Sequence, residues 1–530
     1  MFAPMTFQCV RCEKFFIVTT SESPACFESD SSKYTSLGSD NNDRSFYDKE
    51  FSCLTLQQFV GRFTDDSYQN LSNITLELDS GEHSLDSTLS IFNITAFEVS
   101  SDTAATTVIC SKPGVGLQLH SIEDVVISGI TFVGCKEIEI SFVDQFRFEN
   151  SSLQSSSDGS LILNHTLNAT VTGSSITEIS QRQCDRAAII ISNSSVLVQF
   201  CTFFNSKAGT IYSTHSVIAI DSCTFVNNSL MSCGQDYDAT PMITAINGPR
   251  TTKRVTITNS DFIDNHEAVD HPIYLIFIDS STLVQNNTFV DNNVLRLFYI
   301  STEYNEIIID HNYVYNNKAA TIYIDSSDTS IIVSNNNFTD NFGMAVVMYI
   351  EDATVTVNDS YFFGNTNAYD LQENGAITIS YINQPPCPFN VSVIIARCTF
   401  AHNYPPQFEH KLFRGVVSVC TISGPVLVMQ STFIDNLDSY VGGGALKINM
   451  VTENSGSIVI DSCTFIENKS STRYGGAIYI FHAASILINN VNFTSNQGSL
   501  EGGAALHMEV DNAIITINDP SFPNCTLYGS

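Results

Sequence analysis

Short runs of alternating apolar and polar residues recur along most of this chain, among them Val255–Thr258, Ile307–Asp310, Ile322–Ile324, Val347–Ile350, Ile377–Ile379 and Ile458–Asp461. Strict alternation predicts strands with one face buried and one face wet. Between the runs stands an aromatic or aliphatic mark, at Phe132, Leu153, Ile176, Phe203, Phe225, Phe262, Phe289, Tyr313, Phe338, Phe362, Phe400, Phe433, Phe465, Phe493 and Phe522. Most marks lie 21 to 38 residues apart. Ten carry Asn three residues on: Asn228, Asn265, Asn292, Asn316, Asn341, Asn365, Asn403, Asn436, Asn468 and Asn496. The fullest copy of the unit runs from Cys463 to Ile480, where Gly475-Gly476-Ala477 opens the next strand.

A period near 28 residues is too long for a heptad and suits one coil of a solenoid with two or three strands and tight turns. Like positions then stack about 4.8 Å apart, Phe on Phe inside and Asn on Asn at a turn. Asn tolerates the left-handed backbone of a sharp corner, and its amide can bond the next amide in the stack. Leucine-rich repeats need a leucine consensus, and propeller blades need about 40 residues. The pattern therefore predicts an all-β chain: a single right-handed parallel β-helix of the pectin-lyase-like kind, with about 15–16 coils.

The prediction covers residues 53–530, with the helix continuing past the C-terminal end of this sequence. Leu54, Leu56, Phe59 and Val60 fit one face of a short capping helix that would cover the first open edge. Residues 1–52 are polar and aperiodic, and read as a poorly ordered arm. Within it Cys9 and Cys12 form a lone CxxC with no second pair to complete a zinc site. Pro-bearing insertions at 233–241, 383–389 and 404–410 cannot join a ladder and must loop out, so a binding surface is expected beside them.

Charge and cysteine content narrow the function classes. A formal net charge of -32 argues against nucleic acid or an anionic membrane as partner. No apolar run is long enough to span a bilayer, and Phe15–Val18 is too short for a signal-peptide core. Fifteen cysteines favour an oxidising compartment. Cys110 and Cys135 lie one period apart and are candidates for a disulfide, as are Cys201 and Cys223, which sit two residues before consecutive marks. The alternative for that slot is a small buried residue stacking on its like, since Ser and Asn also occupy it. Fifteen Asn-x-Ser/Thr sequons, including Asn73, Asn93, Asn168, Asn227, Asn337 and Asn390, add modest support for a secretory route.

The pairing of Phe-x-x-Asn with Gly-Gly-Ala-Ile/Leu, seen at Gly442–Leu446, Gly475–Ile478 and Gly502–Leu506, resembles the repeats of the chlamydial polymorphic outer membrane proteins. That resemblance implies a surface adhesin with a β-helical passenger. Full pairs occur only in the last hundred residues, and no C-terminal translocator barrel is visible. Cys53–Leu56, Ser80–Leu85, Val108–Cys110 and Ile127–Cys135 are similar instead to large β-helix surface proteins of early-branching animals. Both resemblances speak to fold and surface location more than to activity.

Pectin-lyase-like helices often host carbohydrate chemistry, which gives catalytic candidates some weight. Ile309–Asn312 resembles the Asp-His segment of pectate lyases, which makes Asp310 and His311, with Arg296 one coil away, the weak candidates. The motifs of polygalacturonases, nucleophile elbows, phosphate loops and zinc proteases are absent, and no cofactor or metal is expected. The expectation is a non-enzymatic extracellular or cell-surface protein, for adhesion, recognition or spacing, with carbohydrate or protein ligands. The alternative is a polysaccharide lyase or glycoside hydrolase.

Overall fold

A computed structural model describes residues 15–19, 47–48, 71–78 and 80–528, leaving out 102–105, 155–158, 180–186, 231–240, 249–252, 268–272, 367–375, 381–389, 405–415, 439–442, 451–455, 471–474, 500–502 and the single residues 113, 208, 295, 319 and 511. The capping helix expected at 53–60, the CxxC pair and the three insertions lie almost wholly outside the described residues. The chain divides into two compact units, the first 1–224 with 228–233 and the second 225–227 with 234–530.

Each unit is a stack of parallel coils, and each coil carries up to three strands separated by sharp corners. In the second unit one coil reads Ile273–Ile278, Ser281–Gln285 and Thr288–Val290, and the next reads Arg296–Glu303, Glu306–Asp310 and Tyr313–Tyr315. Every strand pairs in parallel with its equivalent one coil on, forming a first, a second and a third ladder. The first unit has the same plan, with Glu137–Glu149 running through two ladders as one bent strand. At its start Phe15–Thr19 lies antiparallel against Leu71–Glu77.

The corners explain the composition. Each turn between ladders is made by one residue at positive φ, such as Asp279, Asn286 and Asp291 in a single coil. Asn and Asp accept that conformation most readily among residues with a side chain, which accounts for their abundance. The inner face is built from the alternation: Phe262, Phe289, Phe338, Phe362, Phe400, Phe433, Phe465 and Phe493 are buried, and neighbouring rings stack at 4.6–5.3 Å wherever Phe follows Phe. Phe225 begins this column, stacked on Phe262 at 4.6 Å. At Gly475 and Gly476 an added Cβ would run into the backbone oxygens of Ile478 and Ala504, so the Gly-Gly step serves close coil approach.

Two expectations about the repeat mark are corrected. The Asn three residues after the mark is not the corner; the residue before it is, as with Asp264 before Asn265 and Asp435 before Asn436. The Asn points inward instead and is fully buried. Each donates its side-chain N–H to a carbonyl of the preceding coil and accepts from the Asn before it: Asn265 donates to Phe225 and to Asn292, and Asn292 to Phe262 and to Asn317. The ladder continues through Asn341, Asn365, Asn403, Asn436, Asn468 and Asn496. In the first unit Asn228 donates to Phe203 and accepts from the Ser206 backbone. Second, Val314, not Tyr313, pairs with Phe289 and Phe338, and Asn317, not Asn316, is the ladder amide. Tyr313 faces solvent and Asn316 is the corner.

Candidate functional site

The sequence-level candidates fall on different parts of the coil. Asp310 ends a second-ladder strand and His311 is the positive-φ corner after it. Arg296 opens a first-ladder strand. Burial raises the Asp310 carboxyl, but donors overcome this and hold it at about 2: Asn335, Ser334, His311 and Gln285, at 2.6–2.9 Å. A group so held is a corner fastening, since acid–base work at neutral pH needs a pKa near the working pH. Arg296 thus stands on a different ladder from Asp310 and His311.

Arg296 belongs to another cluster, on the outward face of the first ladder in the second unit. Strand alternation places Tyr299 and Ser301 outward, and the parallel register sets Tyr323 and Asp325 on them one coil on, then Val347 and Tyr349, then Thr378 and Ser380. Tyr299 and Tyr323 stack at 5.3 Å, Tyr323 and Tyr349 approach at 5.1 Å, and the Arg296 guanidinium lies 4.1 Å over the Tyr323 ring. Burial raises the Asp325 carboxyl. Burial and the charge of Asp325 raise the Tyr299 phenol, against a hydrogen bond from Ser301 and the charge of Arg296. The Arg296 Nε, Thr378 Oγ1 and Ser380 Oγ atoms are buried without a hydrogen-bond partner. Val347, Thr378 and Ser380 are buried despite their outward register, so the solvent-facing part of the cluster is Arg296, Tyr299, Tyr323, Asp325 and Tyr349.

Sequence reasoning named Arg296 but missed the tyrosines, because an outward Tyr looks like ordinary strand filler. The available signal was outward aromatic residues recurring on three consecutive first-ladder strands. Among the described residues no group of three or more His, Cys, Asp or Glu side chains could hold a metal ion. No described helix is long and apolar enough to cross a membrane.

Cys110 and Cys135 are joined as a disulfide with Cα atoms 4.9 Å apart, and Cys420 is also disulfide-bonded. Cys201 and Cys223, the other disulfide candidates, are not bridged; they occupy the slot as small buried residues, the alternative reading. Their inward slot also holds Ser151, Ser174, Ser260, Asn287, Asn312 and Asn336, and its residues donate to carbonyls around the corner. The Cys201 and Cys223 thiols do the same, to Gln199 and Val171 and to Asp221 and Val198, and hydrogen-bond to one another. Burial pushes the equivalent thiols of Cys398 and Cys463 up to about 12.

Of the sequon asparagines, Asn93, Asn168, Asn227 and Asn390 are exposed and Asn337 is half-buried, while the side chain of Asn73 lies outside the described residues. Residues 172–362 match the family model for the right-handed beta-helix region. This chain folds as a right-handed parallel β-helix. No curated protein matches it. Among solved structures it is similar to a PL6 alginate lyase in complex with a trisaccharide, at 12% identity and a TM-score of 0.31, covering 72% of this chain and 83% of that one. A rhamnogalacturonan lyase is similar at 13% identity and a TM-score of 0.25, over 58% and 80% of the two chains. The A-module of an Azotobacter vinelandii mannuronan C-5 epimerase is similar at 9% identity and 0.22, over 84% and 90%. At these scores the likenesses carry no argument.

Proposed function

We propose that this β-helix is a non-enzymatic recognition protein of the cell surface or extracellular space, and that it engages a carbohydrate or protein ligand with the outward face of the first ladder in its second unit. One observation carries the reading: Arg296, Tyr299, Tyr323, Asp325 and Tyr349 form a half-buried aromatic and polar cluster on that face. Tyrosine and arginine give large contact area with directional polar tips, the residue types on which binding energy concentrates. The cluster holds a single carboxylate, whereas glycoside hydrolysis needs two flanking the scissile bond.

A second reading has one observation in its favour. Burial raises the Asp325 carboxyl, which acts on Tyr299, and a carboxyl shifted toward neutral pH is suited to proton transfer. Incubation with a panel of neutral and uronate polysaccharides, with and without added calcium, separates the two. Retention of a glycan or glycoprotein without new reducing ends or unsaturated products supports recognition. Turnover that Asp325→Asn abolishes would establish the lyase reading instead.

A further inference from the structure

The corner chemistry has a consequence for covalent decoration. A corner places Asn at positive φ, then the inward slot residue, then the first residue of the next strand, which is often Ser or Thr. That order writes a sequon. Asn150-Ser151-Ser152, Asn193-Ser194-Ser195, Asn227-Asn228-Ser229 and Asn286-Asn287-Thr288 all arise this way, and each first Asn is exposed with φ between 48° and 56°. The sequon count is therefore partly a product of the fold and weak as evidence of compartment. The disulfide between Cys110 and Cys135 speaks for an oxidising compartment independently.

We infer that the exposed corner asparagines accept N-linked glycans, and that in the second unit this leaves the outward face of the first ladder bare. The inference rests on the extracellular location proposed above. Asn93, Asn150, Asn193, Asn227, Asn286 and Asn390 project from corners with their side chains in solvent. Asn468 also begins a sequon, Asn468-Lys469-Ser470, but is fully buried, with its amide given to Phe433 and Asn496. A glycan there would break the ladder. In the second unit no sequon begins on a described first-ladder strand, from Ile243–Ile246 to Leu506–Glu509. The remaining sequons of that unit lie on second- and third-ladder strands and corners, at Asn286, Asn337, Asn358, Asn390 and Asn492 among others. Decoration then covers those sides and spares the one bearing Tyr299, Tyr323 and Tyr349.

In the transfer step the side-chain Nδ2 attacks the anomeric carbon of a polyprenyl-pyrophosphate-linked oligosaccharide. The C–N bond forms as the C–O bond breaks, the amide loses one proton, and polyprenyl pyrophosphate leaves. The test is glycopeptide mapping of the full chain, secreted from cultured eukaryotic cells behind an added leader. Glycans on Asn93, Asn150, Asn193, Asn227, Asn286 and Asn390, with Asn468 bare, are expected. Asn286→Gln should remove the mass of one glycan and leave secretion unchanged. Bare corners throughout, or a glycan on Asn468 of the folded protein, would overturn the inference. A chain glycosylated as expected that binds no glycan or protein ligand would refute the recognition reading alone.

Discussion

The side-chain amide of Asn436 donates to the side-chain oxygen of Asn468 at 2.9 Å and to the carbonyl of Phe400, also at 2.9 Å. Its own oxygen accepts from both the backbone and side chain of Asn403. One residue thus satisfies polar groups on two coils other than its own, all buried. Asn436→Ala leaves the Phe400 carbonyl and the Asn403 donors without partners, at about 1–3 kcal/mol for each group. A loss of about 3–5 kcal/mol is expected, read as a lowered denaturation midpoint and faster hydrogen exchange at the Asn403 amide. Asn436→Asp should do no better, since it removes the donors and buries a charge.

Phe142 and Phe146 lie on the same strand of the first unit and should respond oppositely to replacement. Phe146 is fully buried in the inner column, so Phe146→Ala should cost about 3–5 kcal/mol. Phe142 is a corner at φ 55° with half its surface exposed, stacked on the His165 ring at 4.7 Å. Left-handed backbone costs an ordinary residue about 1–2 kcal/mol, comparable to what such a stack returns. Phe142→Asn should therefore leave the melting temperature within a few degrees of the parent or raise it. A large drop would show that the exposed aromatic column has a structural role.

The Asp310 corner should make stability depend on pH in acid. Its folded pKa, about 2, lies below the usual carboxylate value, so the unfolded chain binds the proton more readily. The contribution is fully present above pH ~4 and is lost as pH falls toward 2. Asp310→Asn should lower stability at neutral pH and flatten the acid limb of the stability curve. An unchanged acid limb would show that the donors around Asp310 do not hold its charge.

What the sequence disclosed follows from what repeats. Alternation and a 28-residue spacing are imposed on every coil, so ladders, inner aromatic column and asparagine stack were readable from Phe225, Phe262 or Asn468 alone. The register at Tyr313-Val314-Tyr315 was not, because either of two neighbours could serve as the mark and only pairing with Phe289 and Phe338 decides. Cys201 and Cys223 stayed open between disulfide and small buried residue for a related reason. Vertical register shows that two sulfurs can approach, but not that each already has a carbonyl to bond. The tyrosine cluster escaped because it depends on which outward positions coincide across coils, a two-dimensional pattern that a linear reading does not display.

Recognition is proposed to reside on the first-ladder face of the second unit. The most direct test is the binding of Tyr323→Ser/Tyr349→Ser to whichever panel glycan or glycoprotein the parent retains. Both residues face outward, so the thermal midpoint should hold within a few degrees while affinity falls at least about tenfold, or 1.4 kcal/mol. Undiminished binding by a folded double variant would contradict the account.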